Sequence, residues 1–423
     1  MFAPYRRLFS AKGAVGFSSM GLLARMALSM SGIGTVVMIA SLRDSYALAG
    51  AVTGASLATT LLTIPLLGRL VDRYGQARVA IPAAIWSAVM SAALVVCLSL
   101  DAPTWTLFAT NILSATAPNV GGMARARWAE IYDNDADSMH VANSFEQVLD
   151  EVCFILGPIL AVALATSLFP EAGRLAALTL TLVGTVLFAV QRSTEPPVHP
   201  VDPSGQKAPL RNRGLQIMML VFLFTGSIFG SLEMVTVAFT DSLGHKPVAG
   251  TVLALQAIGS AVAGMLFGMV TLRGTGVSRF LTGVTAMAVL MLPLNLAGGL
   301  WSLAPLMFVA GMATSPTMIT GMGLVQELIP RSQINEGMTL AVTSLLGGIS
   351  LGGMVAGWSV ERFGADSGYV LPAAAAALAV LVAVAGSAWL RREVAANAPA
   401  GDNAPSAPSA PSAPERAALG QQA

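Results

Sequence analysis

Charge is scarce in this chain: Asp, Glu, Lys and Arg make up 11% of its 423 residues, where a soluble domain carries about 25%. The few charges nearly cancel, to a formal net of +1, so no nucleic acid and no strongly acidic partner is expected. Cysteine is scarcer still. Cys97 and Cys153 each fall inside an apolar run, which implies no disulfide framework. His140, His199 and His245 are scattered without metal-ligand spacing, and no metal site is expected. A Gly-x-x-x-x-Gly-Lys-Ser/Thr loop is absent, which excludes a nucleotide engine of that type, and no cofactor is expected. There is no His-Glu-x-x-His, and Glu146 with Asp150 on one helix make no opposed catalytic pair, so the chain does not read as an enzyme. Aromatic residues, at 6%, are too sparse to advertise a stacked sugar site.

What remains is apolar. With 55% hydrophobic residues the chain is expected to be an all-α polytopic membrane protein, with the lipid bilayer as a partner. A span needs roughly 20 mostly apolar residues. Twelve segments meet that test, near 14–42, 46–68, 79–100, 103–125, 140–166, 173–191, 214–240, 247–271, 278–298, 301–326, 334–360 and 368–390. Arg6, Arg7 and Lys12 ahead of the first run imitate the start of a signal peptide. The run from Gly13 to Leu42 is too long for one, and a retained first helix is expected. With both termini cytoplasmic, the inner segments hold 18 of the 23 Lys and Arg, and the outer loops hold four, Arg43, Arg174, Lys246 and Arg362. Basic residues favour cytoplasmic loops, so this orientation is expected, in an inner (plasma) membrane.

The pattern then repeats. Gly68 is echoed by Gly268, Arg73 by Arg273, Thr116-Ala117-Pro118 by Thr314-Ser315-Pro316, and Asn143 by Asn335. Together the echoes indicate two homologous six-helix halves, residues 1–191 and 214–392. Residues 192–213, rich in proline and charge, are expected to be a cytoplasmic linker. The stretch 393–423, with its Ala-Pro-Ser repeats, is expected to be a disordered cytoplasmic tail.

One short charged turn, Gly68-Arg69-Leu70-Val71-Asp72-Arg73-Tyr74-Gly75-Gln76-Ala77-Arg78, joins the second and third runs. Its Gly-x-Leu-x-Asp-Arg-x-Gly pattern resembles the signature loop between helices 2 and 3 of the major facilitator superfamily. Gln76 and Ala77 depart from it, standing where many members are more basic. The resemblance covers about residues 10–392. It implies two pseudo-symmetric six-helix bundles, related by an axis along the membrane normal, and alternating access about a midplane site. It also implies a latch, in which this loop packs with charges on helices 4 and 5 to hold the cytoplasmic face shut. Gly68, Asp72, Arg73, Gly75 and Arg78 are the loop's share of that latch. Arg125 and Arg127, at the end of helix 4, are placed to join it, and Glu146 is the favoured acid.

A charge within the bilayer costs about 3 kcal/mol or more unless paired or hydrated. Arg25, about twelve residues into helix 1 and so near the midplane, faces either substrate and water or a structural partner in its own half. On helix 5, Glu146 and Asp150 are four apart and share a face, with Glu151 alongside. Two carboxylates close together favour a proton on one of them, whereas pairing with Arg25 would keep both ionised. Asp150 or Glu151 is expected to do cavity or proton work. Asn111 lies where many proton-coupled members carry an arginine, so coupling through that position is in doubt. Glu233 is expected near a cavity mouth, and Gln256 is expected to bond between helices or line the cavity. Gly157-Pro158 resembles in part a kink motif on helix 5 of exporter branches. The runs Gly347-Gly348 and Gly352-Gly353 are expected to let helices approach closely.

The expected function is secondary transport, with a small-molecule substrate and a proton as the coupling ion. Export of a small, fairly apolar organic molecule is preferred. The alternative is uptake by symport of a sugar, amino acid or organic anion, with Arg25 pairing a carboxylate. A non-transporting receptor or scaffold would need an output domain, and the linker and tail are too short for one.

Overall fold

The computed structural model describes residues 3–133, 135–198, 209–245, 248–270, 274–364 and 368–397. Residues 199–208 of the expected linker, Arg273 of the repeat and the tail beyond Asn397 lie outside the described residues.

In a bilayer the backbone finds no water, so a crossing chain closes its own hydrogen bonds as helix. The first half runs α1 (Ala3–Leu8), α2 (Ala14–Arg43), α3 (Tyr46–Tyr74), α4 (Gln76–Ser99), α5 (Thr104–Ser114), α6 (Val120–Ile131), α7 (Ala136–Ser167) and α8 (Ala172–Val190). The second runs α9 (Arg213–Ser242), α10 (Ala249–Phe267), α11 (Gly276–Met291), α12 (Leu300–Met312), α13 (Thr314–Leu328), α14 (Ile334–Phe363) and α15 (Val370–Asn397). Polar caps mark where the chain turns back: Ser45, Asp135 and Asn212 accept from the N–H groups of Leu48, Ser138 and Leu215.

Among the described residues, 11 stretches are long and apolar enough to cross a membrane. The twelfth crossing is broken. Expected as one helix over 103–125, it is split into α5 and α6. Pro118 has no N–H for the ladder and its ring excludes the carbonyl four residues back, and Asn119 restarts the helix by accepting from Gly122 N–H at 3.1 Å. The echo at Thr314-Ser315-Pro316 breaks less: Ala313 keeps helical angles between α12 and α13. Pro316 falls in the first turn of α13, where its missing N–H is not needed.

Arg174 corrects the outer-loop count. It is the third residue of α8, only 5% exposed, and donates to Ser91 Oγ at 2.8 Å and Ser114 Oγ at 3.2 Å. Its charge sits at the carbonyl end of α5, the negative end of that helix.

The helices form two six-helix bundles. In the first, α2 packs on α7 and α8, and α4 on α5 and α8; in the second, α9 packs on α14 and α15, α10 on α12, and α11 on α13 and α15. Helices α9 and α14 touch backbone to backbone. A methyl on Gly226, Gly230, Gly348 or Gly352 would drive into the carbonyl of Leu345, Ile349, Leu223 or Ser227 respectively. One glycine of each expected pair thus makes the contact, and α9 supplies two more. The bundles meet where α3 lies on α14, α7 on α10 and α13, and α6 on α14.

Candidate functional site

The turn between α3 and α4 is made by Gly75, at φ +93°, a conformation that L side chains rarely adopt. Its N–H closes on Val71 O at 2.8 Å, and Glu195 Oε1 accepts from Ala77 N–H at 2.9 Å as α4 begins. One turn before Asp72, Gly68 presses on α14: a methyl there would lie 2.5 Å from Thr339 Oγ1 and 2.9 Å from Asn335 O. Asp72 reaches across the bundles on the same face. Its carboxylate accepts from Asn335 N–H at 3.1 Å, Asn335 Nδ2 at 2.7 Å and Glu336 N–H at 2.7 Å. An anion therefore caps the positive end of α14, a 30-residue helix of the other half. Arg73 and Arg78 are exposed, with Arg73 lying 5.4 Å from the ring of Tyr74.

The repeated elements make a matching seam. A methyl on Gly268 would lie 2.6 Å from Ser144 Cβ on α7. Asn143 Nδ2 donates to Gln326 Oε1 at 2.9 Å, and His140 Nε2 lies 2.8 Å from Phe267 O. From α1, Tyr5 donates its hydroxyl to Met265 O at 2.9 Å. Burial pushes that hydroxyl up to about 12, so it remains a donor. Arg331 pairs with Asp133 and lies 3.7 Å from Glu130. These contacts join the bundles at the end carrying the α3–α4 turn. A cavity of about 450 Å³ opens there, lined from both halves by residues that include Asp133, His140, Arg279 and Glu327.

Deeper in the first bundle lies a chain of charges. Arg25, 6% exposed, pairs with Glu146, which is fully buried, and approaches Asp150 Oδ1 at 3.3 Å. Arg125 donates to Asp150 Oδ2 at 2.7 Å, and Trp128 Nε1 donates to Glu146 Oε1 at 2.5 Å. Two cations and two acids leave this apolar region neutral, where an unpaired charge would cost several kcal/mol. Glu146, the acid favoured for the latch, therefore sits in an ion pair inside its own bundle and does not reach the turn.

Arg127 likewise turns away from Asp72. Fully buried, it donates to Gln76 Oε1 at 2.8 Å, Gln191 O at 2.9 Å, Thr194 Oγ1 at 2.9 Å and Phe188 O at 3.0 Å. Its guanidinium lies 3.9 Å from the centre of the Phe188 ring. Gln76 is the neutral acceptor that Arg127 requires, and a basic residue in its place would repel it.

Glu151 points elsewhere. One residue along a helix turns by about 100°, which carries Glu151 from the Arg125 side of α7 to the seam with the second bundle. Its Oε1 accepts from Ser260 Oγ of α10 at 2.7 Å and Gln147 Nε2 at 3.2 Å, and Ser260 Oγ lies 2.9 Å from Ser315 Oγ.

The remaining candidates do not converge on this cluster. Asn111 is buried and donates to Val52 O at 3.1 Å, fastening α5 to α3. Gln256 is half-buried on α10, where its backbone presses on Gly311. Glu233 is exposed on α9. A methyl on Gly157 would drive into Ser29 Oγ, so that glycine lets α7 close on α2, and α7 runs through Pro158 unbroken. Sequence reasoning missed Trp128, Ser260 and Glu336. Only Asn335 carried a signal, as the echo of Asn143.

The sequence profile described as Major Facilitator Superfamily matches residues 17–247, more than half of the chain. No curated protein sequence matches it. Among solved structures, the human organic anion transporter MFSD10 (TETRAN) has a TM-score of 0.71 at 15% identity, covering 88% of this chain and 98% of that one. A bacterial homologue of the iron transporter ferroportin, in an outward-facing state, scores 0.71 at 14% identity and covers 89% and 99%. FucP in the outward conformation scores 0.69 at 14% identity and covers 88% and 98%. At these identities the likeness is one of fold. The chain belongs to the major facilitator superfamily, as a multi-pass membrane transporter and not an enzyme.

Proposed function

We propose that this chain couples protons to the movement of a small organic solute, and that Glu151 carries the proton. The observation behind this is the contact of Glu151 with Ser260: an acid on α7 that bonds across the seam to neutral hydroxyls. When the bundles part, that carboxyl loses its partner from α10 and faces the pathway. Taking up or releasing a proton then favours one arrangement over the other. Residues 1–191 and 214–392 are the two rocking units, 192–213 tethers them and 393–423 is the tail, of which 393–397 still continue α15. The sequence bias in basic residues supports a cytoplasmic side for the α3–α4 turn and both termini, and a plasma membrane is the setting proposed. On this account Gly68 and Asp72, set by Gly75, are the latch on α14. Arg73 and Arg78 anchor it at the surface, and Arg25 and Arg125 fix Glu146 and Asp150.

Export is supported by the partial Gly157-Pro158 motif, the 21 methionines and the few aromatics, and packing against Ser29 already accounts for that glycine. One observation favours symport instead. Glu151 and the Arg25 cluster lie on different sides of α7, so proton and solute need not exclude each other. The test is transport in proteoliposomes by a Glu151→Gln variant. It is expected to keep solute exchange at equilibrium while losing accumulation driven by a pH gradient. Proton-driven accumulation at the wild-type rate in that variant would remove Glu151 from the coupling.

A further inference from the structure

We infer that Arg25 and Arg125, at the N-terminus of α6, bind the anionic group of the transported solute, and that Asp150 occupies this place when the solute is absent. This rests on the transporter account above and gives its solute a class: a small organic carboxylate.

The break in helix 4 puts the start of α6, the positive end of its dipole, inside the bundle. Pro118 O accepts from Val120 N–H at 3.0 Å, Asn119 O from Met123 N–H at 3.2 Å and Asn119 Oδ1 from Gly122 N–H at 3.1 Å. Gly121 leaves the helix end bare, and two guanidiniums converge on it. A methyl there would lie 3.4 Å from Arg25 Nε and 3.5 Å from an Arg125 terminal nitrogen. Cations at the positive end of a helix stand against its dipole. Positive charge is thus gathered where an anion is wanted.

The donors are not used up. Arg25 and Arg125 are 6% and 3% exposed, and each keeps a buried Nε–H without an acceptor, as does Asn119 at Nδ2. All three are donors, and a buried donor left unmade is costly. Glu146 is locked by Trp128. Asp150 is different: its side chain is 24% exposed, and it stands on Arg25 at 3.3 Å and Arg125 at 2.7 Å. It is a tethered carboxylate on two guanidiniums, at the edge of the cluster open to solvent. A solute carboxylate in its place makes the same two contacts and is drawn further by the end of α6. The cluster is neutral as it stands, and on binding the solute carboxylate replaces Asp150 on the two guanidiniums while the Asp150 side chain moves to the edge open to solvent. No covalent bond forms or breaks. The charged and titratable groups facing Asp150 are Arg25 from α2, Arg125 from α6, and Glu146 and Cys153 on α7 itself, with Glu151 on the next side of that helix. Nearby, α10 and α13 present the hydroxyls of Ser260 and Ser315.

The test is melting of the purified full chain in detergent with benzoate, lactate and succinate as probes, against benzyl alcohol and benzylamine. Asp150→Asn, which carries one net positive charge in the cluster, is expected to gain about 3 °C with at least one carboxylate at neutral pH. Benzyl alcohol and benzylamine are expected to give no gain, and adding Arg125→Gln is expected to abolish the carboxylate effect. Should Asp150→Asn fail to fold, the wild type serves, with a carboxylate shift that Arg125→Gln abolishes. Stabilisation by benzylamine or benzyl alcohol equal to that by a carboxylate would overturn the proposal. So would the absence of any shift with all three carboxylates. Binding in detergent needs no gradient. Failure here with proton-driven accumulation intact strikes this site alone, whereas binding without accumulation strikes the Glu151 assignment.

Discussion

Removing the Asp72 carboxylate should open the end of the molecule that it holds shut. In Asp72→Ala, α14 loses its cap: three acceptor contacts, at 3.1, 2.7 and 2.7 Å, to Asn335 N–H, Asn335 Nδ2 and Glu336 N–H. Loss of an N-cap costs about 1 kcal/mol and up to about 2, and an anion at a partly buried helix N-terminus contributes up to about 2 kcal/mol. The two overlap, so we take about 2 kcal/mol for the contact. At about 1.4 kcal/mol for each tenfold, the closed arrangement loses roughly 30-fold against the open one. Asp72→Asn keeps one acceptor oxygen and loses the charge, for an effect of about fivefold. The readout is a cysteine at Ser144, which is fully buried on α7 beneath Gly268, in a background with Cys97 and Cys153 replaced by serine. An impermeant maleimide added from the turn side should label it roughly 30-fold faster in Asp72→Ala. Labelling within twofold of the parent, in protein that still melts normally, would show that Asp72 does not hold this end closed.

Three further outcomes are expected. Gly68→Val sets a branched side chain against Asn335 O, 2.9 Å from the nearest methyl position, and should raise Ser144→Cys labelling at least as much as Asp72→Ala. Arg127→Met leaves the acceptors of Gln76, Gln191, Thr194 and Phe188 without their donor, and should destabilise the first bundle by about 2–4 kcal/mol, seen as a lower melting temperature in detergent. Asp135, before α7, is held below its ordinary carboxyl range by hydrogen bonds from the N–H and then the hydroxyl of Ser138. A depressed value stabilises at higher pH, and that contribution is lost as pH falls through the folded value. The melting difference between wild type and Asp135→Asn should therefore be full above about pH 4 and shrink below it.

The membrane fold was legible because a crossing helix needs only length and apolarity, and eleven expected spans return as single long stretches. The break in the twelfth had a visible cause in Pro118, but proline inside membrane helices is common, as Pro65, Pro82 and Pro158 show in unbroken α3, α4 and α7. The difference lies in Asn119, which caps the restart. Arg174 was misplaced because an arginine in a short loop and one buried in the first turn of a helix look alike in sequence, and its partners Ser91 and Ser114 lie 60 or more positions away. At the site, the turn carried its own signal, whereas its partner sits more than 260 positions away and showed only as an echo of Asn143. The i, i+4 spacing put Glu146 and Asp150 on one face, and Arg25 was the nearest unpaired charge in the same half. Ion pairing on that face was foreseeable from those two facts. That Glu151 would face Ser260 was not, since neighbouring acids on a helix differ only in which helix stands opposite.

The most direct measurement of the central claim is internal pH in proteoliposomes as solutes are added outside at zero membrane potential. Addition of a transported carboxylate should acidify the lumen of wild-type vesicles, and Glu151→Gln should abolish that acidification while solute still equilibrates. Solute entry in wild-type vesicles with no pH change, or acidification undiminished in Glu151→Gln, would contradict it.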